Sequence, residues 1–293
     1  MKYIVTGGAG FIGSHLVDQL IKDGHHVRII DNLLSGNSNY INPSADFINA
    51  DICEISNIDN YFSGYDGIFH LAAIARTPWC IDDPILCYKT NVLGTLNILE
   101  LARKYGIKRV VMTSSNVVYA FMTPYRSSKE ALEQLGKVYT DMYGISVICL
   151  RNSNVYGQRQ SELGPSPNVF SALRKSKREN GHITITGDGE QTRDFTHVSD
   201  IVNGHILAMK NNYNGVLDLC TGVNHSLNTV AKIFNIPIKY IEERPGDIKH
   251  IIQDPIPSFN ILGWKAQITL EEGMKDFFSD PAFKEISCNN III

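Results

Sequence analysis

The sequence of 293 residues predicts an α/β fold, a doubly wound parallel sheet with a smaller C-terminal lobe. Three observations predict it. In the first half, short β-branched runs alternate with helix-length amphipathic stretches, the pattern of a parallel sheet covered on both faces. A glycine-rich turn, Thr6-Gly7-Gly8-Ala9-Gly10-Phe11-Ile12-Gly13, joins the first run to the first stretch. From Asn154 the texture changes to loop-length segments punctuated by Pro165, Pro167, Pro237, Pro245, Pro255 and Pro257.

The expected strands are Tyr3–Thr6, Val27–Asp31, Asp46–Asn49, Gly67–His70, Arg109–Thr113 and Ser146–Arg151. The expected helices, Gly10–Asp23, Ile85–Tyr105 and Pro124–Tyr143, each stop at a glycine (Gly24, Gly106, Gly144) suited to a left-handed helix end. Two later segments, about Thr192–Lys210 and Gly215–Gly222, are expected to return to the main sheet. Residues 1–152 with about 190–222 would then form the sheet domain, and about 153–189 with 223–293 a substrate-binding lobe.

With 27 basic and 30 acidic residues the net charge is −3, which advertises no basic surface for nucleic acid. No apolar run approaches the roughly 20 residues of a membrane helix. The chain opens directly on a strand and the glycine turn, leaving no room for a signal peptide. The six cysteines form no Cys-x-x-Cys pair, so reduced thiols, a cytoplasmic location and no metal site are expected.

Lying between a strand and a helix, the glycine turn satisfies Gly-x-Gly-x-x-Gly from Gly8 and Gly-x-x-Gly-x-x-Gly from Gly7. That is the context of a dinucleotide site in a Rossmann-like fold, where backbone N–H groups approach a pyrophosphate at the positive end of the helix. Asp31 closes the second strand 18 residues after Gly13, near the spacing of an acid that holds ribose hydroxyls. Its carboxylate would repel a 2′-phosphate, and no arginine follows it in Asp31-Asn32-Leu33-Leu34-Ser35, so NAD is favoured over NADP.

Tyr125 and Lys129, four residues apart, share one helix face. A nearby ammonium and a positive nicotinamide would lower the phenol's pKa and let Tyr125 exchange a proton with a substrate alcohol. The pair alone is commonplace on helices. The upstream run Val110-Val111-Met112-Thr113-Ser114-Ser115 gives it meaning, because it delivers hydroxyls to the carboxyl edge of the sheet, where such folds bind ligands. Ser115 can hydrogen-bond the reacting oxygen while Tyr125 moves the proton.

The chain resembles the extended short-chain dehydrogenase/reductases, in the family of NAD-dependent nucleotide-sugar epimerases and dehydratases, over nearly its whole length. The residues that carry the resemblance are Thr6 to Gly13, Asp51-Ile52, His70-Leu71-Ala72-Ala73, Asn91-Val92-Leu93-Gly94-Thr95, Ser114-Ser115 through Val118-Tyr119, Tyr125 with Lys129, Leu150-Arg151 through Asn154-Val155-Tyr156-Gly157, Gly187-Asp188-Gly189 through Arg193-Asp194-Phe195, Arg244-Pro245-Gly246-Asp247 and Leu262-Gly263-Trp264. It implies a catalytic set of Ser115, Tyr125 and Lys129. It also implies a cofactor set of Gly7, Gly10, Phe11, Ile12, Gly13, Asp31, Asn32, Ser35, Gly36, Asp51, Ile52, Leu71, Ala72, Ala73, Ala75, Asn91 and Ser114, together with Tyr125 and Lys129. Ser115, Asn154, Asn168, Arg193, Arg244 and Asp247 fall at positions that contact the nucleotide sugar. Arg193 and Arg244 suit a diphosphate, since a guanidinium pairs with phosphate oxygens as a fork.

The dehydratase branch carries an Asp-Glu pair where this chain has Asn116 and Val117, which disfavours water elimination. Reversible oxidation at C4 remains, and Arg76-Thr77-Pro78, Asp82-Asp83-Pro84 and Gln158-Arg159-Gln160 with Asn168 most resemble UDP-hexose 4-epimerases. Decarboxylation of a UDP-glucuronate-type sugar, 2-epimerisation of a deoxysugar and a non-catalytic NAD-binding relative are the alternatives. One departure stands out: only Ala120-Phe121-Met122-Thr123-Pro124 separates Tyr119 from Tyr125, a shorter loop than relatives carry. By the same resemblance, helices Ile85–Tyr105 and Pro124–Tyr143 would pair across a homodimer.

Overall fold

The computed structural model describes residues 1–160, 169–235, 237–243 and 249–279. Strands β1 (Lys2–Thr6), β2 (His26–Asp31), β3 (Asp46–Asn49), β4 (Gly67–His70), β5 (Arg109–Ser115) and β6 (Ser146–Asn152) alternate with helices that include α1 (Phe11–Lys22), α2 (Ile55–Ile58), α3 (Thr77–Asp82), α4 (Pro84–Tyr88), α5 (Thr95–Lys104) and α6 (Pro124–Tyr143). After them come α7 (Val169–Asn180), β7 (Ile183–Thr186), β8 (Thr192–Asp194), α8 (Val198–Lys210), β9 (Gly215–Leu219), β10 (Asn224–Ser226), α9 (Leu227–Phe234), β11 (Ile238–Ile241), α10 (Ile256–Leu262) and α11 (Leu270–Ser279).

The main sheet has seven strands in the order β3-β2-β1-β4-β5-β6-β9, all parallel. The chain starts at β1, runs outward to β3, then crosses back to β4. That reversal beside β1 opens a crevice at the carboxyl edge, the general ligand site of open α/β sheets. Successive side chains enter opposite cores: Tyr3, Val5, Ile29 and Val111 pack beneath α1 and α8, while Ile4, Ile30, Val110 and Met112 pack beneath α5 and α6.

Two expectations change. The helix expected over Ile85–Tyr105 is α4, a π-helical stretch over Lys89–Gly94, and α5. Of the two later segments, Gly215–Leu219 joins the sheet beside β6, but Thr192–Asp194 pairs antiparallel with β10 in a separate two-stranded sheet. The following α8 then packs on α1 and β5. The smaller lobe holds that sheet, a second one formed by β7 and β11, and a core of Tyr156, Phe170, Phe195, Val230, Met274 and Phe277. Among the described residues no helix is long and apolar enough to cross a membrane.

Candidate active site

Close packing explains the glycines of the turn after β1. Gly7 has φ of +71°, and a Cβ there would lie 2.7 Å from the Ala72 nitrogen; a Cβ on Gly13 would lie 2.1 Å from the Gly7 oxygen. No side chain caps α1 at Gly10 and no acid sits in its first turn, so the N–H groups about Phe11, Ile12 and Gly13 form a positive, uncapped helix end. A cradle that only glycine can line, beside such an end, fits a pyrophosphate.

Asp31 ties this turn to β2, accepting from the Ala9 N–H at 3.0 Å and the Leu33 N–H at 2.8 Å. Burial raises its pKa, against the pull of those two N–H groups. Two of its roughly four lone-pair positions stay available for sugar hydroxyls. Gly36 abuts the same carboxylate, where a Cβ would stand 3.0 Å from Asp31 Oδ1, and Ser35 is exposed beside it. Asn32 donates to Asp51 at 3.2 Å, and Ile52 is buried against Gly94. The structure thus gathers Asp31, Asn32, Ser35, Gly36, Asp51 and Ile52 around the carboxyl ends of β2 and β3.

The loop after β4 carries Leu71, Ala72, Ala73 and Ala75. Its Ile74 N–H donates to Asn91 Oδ1 at 2.7 Å, and Asn91 Nδ2 returns to the Ile74 carbonyl at 3.1 Å and to Ser128 Oγ at 3.0 Å. Asn91 is therefore a brace behind the loop rather than a group turned toward a ligand. Ser114 behaves similarly: its hydroxyl donates to Glu133 at 2.6 Å, and Glu133 holds Arg151 through a forked pair at 2.8 and 2.7 Å.

Two elements, β5 and α6, bring the catalytic candidates together. Ser115 ends β5, where its hydroxyl accepts from the Val117 N–H at 3.2 Å and lies near enough to the Tyr125 phenol to lower its pKa. Thr123 caps α6 and Pro124 opens it, so Tyr125, Ser128 and Lys129 fall on the buried face of its first turns. Lys129 Nζ donates to the Thr113 carbonyl at 2.8 Å and lies 6.0 Å from the centre of the Tyr125 ring. Burial pushes the phenol up to about 12, with Ser115 pulling it down and the thiols of Cys80 and Cys87 adding to the rise. The expected lowering of Tyr125 is therefore absent from the protein alone. Desolvation outweighs the pull of Ser115, and the neighbouring Lys129 is itself pushed down to about 8 by burial.

At the lobe side, Asn154 has φ of +28° and donates to the Asp194 carbonyl at 2.8 Å, while Arg193 donates to the Thr192 carbonyl at 2.8 Å. Asn168, Arg244 and Asp247 lie outside the described residues. One candidate had no sequence motif of its own: Asn152 pairs with Ser115 across β5 and β6, is 6 % exposed, and neither atom of its carboxamide has a partner. The strand alternation that buries Ile148 and Leu150 is the signal that marks it.

With this geometry in hand, comparison with known proteins is decisive for the family. The family model of NAD-dependent epimerases and dehydratases matches residues 3–219. The chain belongs to the NAD-dependent epimerase/dehydratase family. A family member of Methanocaldococcus jannaschii, described as a candidate UDP-glucose 4-epimerase, is 39% identical over 93% of this chain and 95% of its own length. The UDP-glucuronic acid decarboxylase 1 of Xenopus tropicalis is 29% identical over 93% of this chain and 70% of its own. The crystal structure of the Thermotoga maritima UDP-glucose 4-epimerase with UDP-glucose superposes with a TM-score of 0.91 at 32% identity, covering 98% of this chain and 99% of that one. Proteins described as an epimerase and as a decarboxylase of UDP-sugars thus each align with 93% of this chain.

Proposed function

We propose that this protein is an NAD-dependent 4-epimerase of a UDP-hexose. The observation that carries the proposal is the convergence of Ser115, Tyr125 and Lys129 at the sheet edge reached from the glycine cradle. Gly7, Gly10 and Gly13 with the α1 N–H groups would hold the pyrophosphate, Asp31 the adenosine ribose, and the Leu71–Ala75 loop the length of the cofactor. Bound there, NAD supplies a reversible hydride acceptor. Tyr125 takes the proton of the C4 hydroxyl as that carbon is oxidised, and Ser115 hydrogen-bonds the same oxygen. Once the 4-keto sugar has turned in the pocket, Tyr125 would return the proton to the same oxygen on the other face. Lys129 holds positive charge behind the phenol and favours its ionised form. Asn154 and Arg193, with Asn168, Arg244 and Asp247, would bind the nucleotide diphosphate.

The test is incubation with UDP-glucose and with UDP-galactose, following the anomeric and C4 protons by NMR. Interconversion without net NADH is the expected result. Tyr125→Phe should lower kcat by about 100-fold or more, and unchanged turnover would reject the role of Tyr125. Release of carbon dioxide from UDP-glucuronate, with no epimer formed, would replace this reading with oxidative decarboxylation.

A further inference from the structure

Thr95 fixes the direction of a buried hydrogen-bond chain. Its hydroxyl lies 2.7 Å from the Asn91 carbonyl oxygen, which has no proton to give, so Thr95 donates there. His70 Nε2, 2.9 Å from the same hydroxyl, must then carry a proton and donate it to Thr95. His70 is 1 % exposed, and burial, with Lys129 nearby, pushes its pKa down to about 3, so the ring is neutral and Nδ1 is an acceptor. Thr6 supplies that acceptor with its hydroxyl proton at 2.7 Å and in turn accepts from the Ala72 N–H at 3.3 Å. At the far end the Asn91 carboxamide grips Ile74 and donates to Ser128, whose hydroxyl donates to the Tyr125 carbonyl at 2.8 Å. Both ends of the loop after β4 are thus fastened, one to the strand that feeds the glycine turn and the other to the catalytic helix.

We propose that His70 is a positioning residue: through the directed run from Thr6 to the Asn91 backbone, joined there by the Asn91 carboxamide's grip on Ile74 and Ser128, it holds the Leu71–Ala75 loop in register with the helix that carries Tyr125 and Lys129, so that cofactor and phenol meet in the right geometry. The proposal rests on the reading of the loop as an NAD site.

Two measurements test it. With histidine labelled in nitrogen-15, NMR of the wild-type protein should show His70 as the neutral Nε2–H tautomer, unchanged from about pH 8 to about pH 5.5. The Nδ1–H tautomer, or a titration near pH 6.5, overturns the chain. NAD affinity is then measured by calorimetry on Thr95→Val and Thr95→Ser. The valine is close in shape but leaves the His70 donor unmatched and should weaken NAD binding about tenfold. The serine, which keeps the hydroxyl, should restore affinity to within about twofold. A folded Thr95→Val that binds NAD as the wild type does overturns the positioning role. Wild-type protein that binds no NAD overturns the functional reading and this role together, and the tautomer result distinguishes that failure from a wrong hydrogen-bond chain.

Discussion

Lys129 is 3 % exposed, and its pKa falls from 10.5 to about 8 because burial disfavours the ammonium. At about 1.4 kcal/mol per pKa unit, that drop corresponds to roughly 3 kcal/mol of lost stability. Its hydrogen bond to the Thr113 carbonyl returns only about 1 kcal/mol. Below about pH 8 folded and unfolded chains both hold the proton and the cost is fully present; the folded chain releases it first above that, and beyond about pH 10.5 neither holds it. Lys129→Met should therefore abolish turnover yet stabilise the protein by about 2 kcal/mol near pH 7, with a gain that shrinks toward pH 10. Urea unfolding at both pH values checks this, and a gain that grows with pH contradicts it. At this scale the sequence shows which side chains share a face, because a four-residue spacing on a helix does so whatever surrounds it. It does not show the direction of Tyr125's pKa, the brace formed by Asn91 or the turn of Ser114 toward Glu133. Each of those depends on partners brought from other strands and helices.

Among the elements, helix ends were the most readable feature. Gly24, Gly106 and Gly144 take φ of +79°, +68° and +66° within two residues of the ends of α1, α5 and α6, as a left-handed stop requires. Gly144 has open space around its Cβ position, so Gly144→Ala meets no clash and pays only for the backbone conformation. It should cost about 1 kcal/mol in urea unfolding with turnover unchanged, since Gly144 precedes the amino end of β6, opposite the site. An undiminished midpoint would show that the helix end tolerates a side chain. The π-helical stretch over Lys89–Gly94 was not readable, because a widened turn leaves the apolar periodicity nearly intact. Only the tertiary partners show its use, since it carries Asn91 to Ile74 and lets Gly94 meet Ile52. The detour of β8 into a separate sheet was equally hidden, as a three-residue strand holds too little pattern to name its neighbour.

For the whole molecule, the parallel sheet covered on both faces was legible in the alternation of strands and helices, and Gly215–Leu219 returns to it as the outermost strand beside β6. Helices α4 to α6 leave Ile85 80 %, Leu93 42 %, Val138 46 % and Met142 73 % exposed on the outside of the sheet domain. Apolar side chains of that size on neighbouring helices fit a second copy of the chain. Sedimentation should give a dimer at micromolar concentration, and the double variant Ile85→Asp with Met142→Asp should give a monomer; wild-type protein sedimenting at monomer mass would reject the pairing.

The short stretch between Tyr119 and Tyr125 is fastened at both ends. Arg151 donates to the Tyr119 hydroxyl at 2.7 Å, that hydroxyl donates to Asp218 at 2.9 Å, Arg126 donates to the Ala120 carbonyl, and Thr123 caps the catalytic helix. Between these anchors only Phe121 and Met122 project outward, 52 % and 64 % exposed. The protein thus offers a cassette for engineering. Longer loops spliced between Ala120 and Thr123 would inherit fixed endpoints beside the candidate site, so a library there varies one wall beside Tyr125 while leaving Ser115, Tyr125 and Lys129 in place.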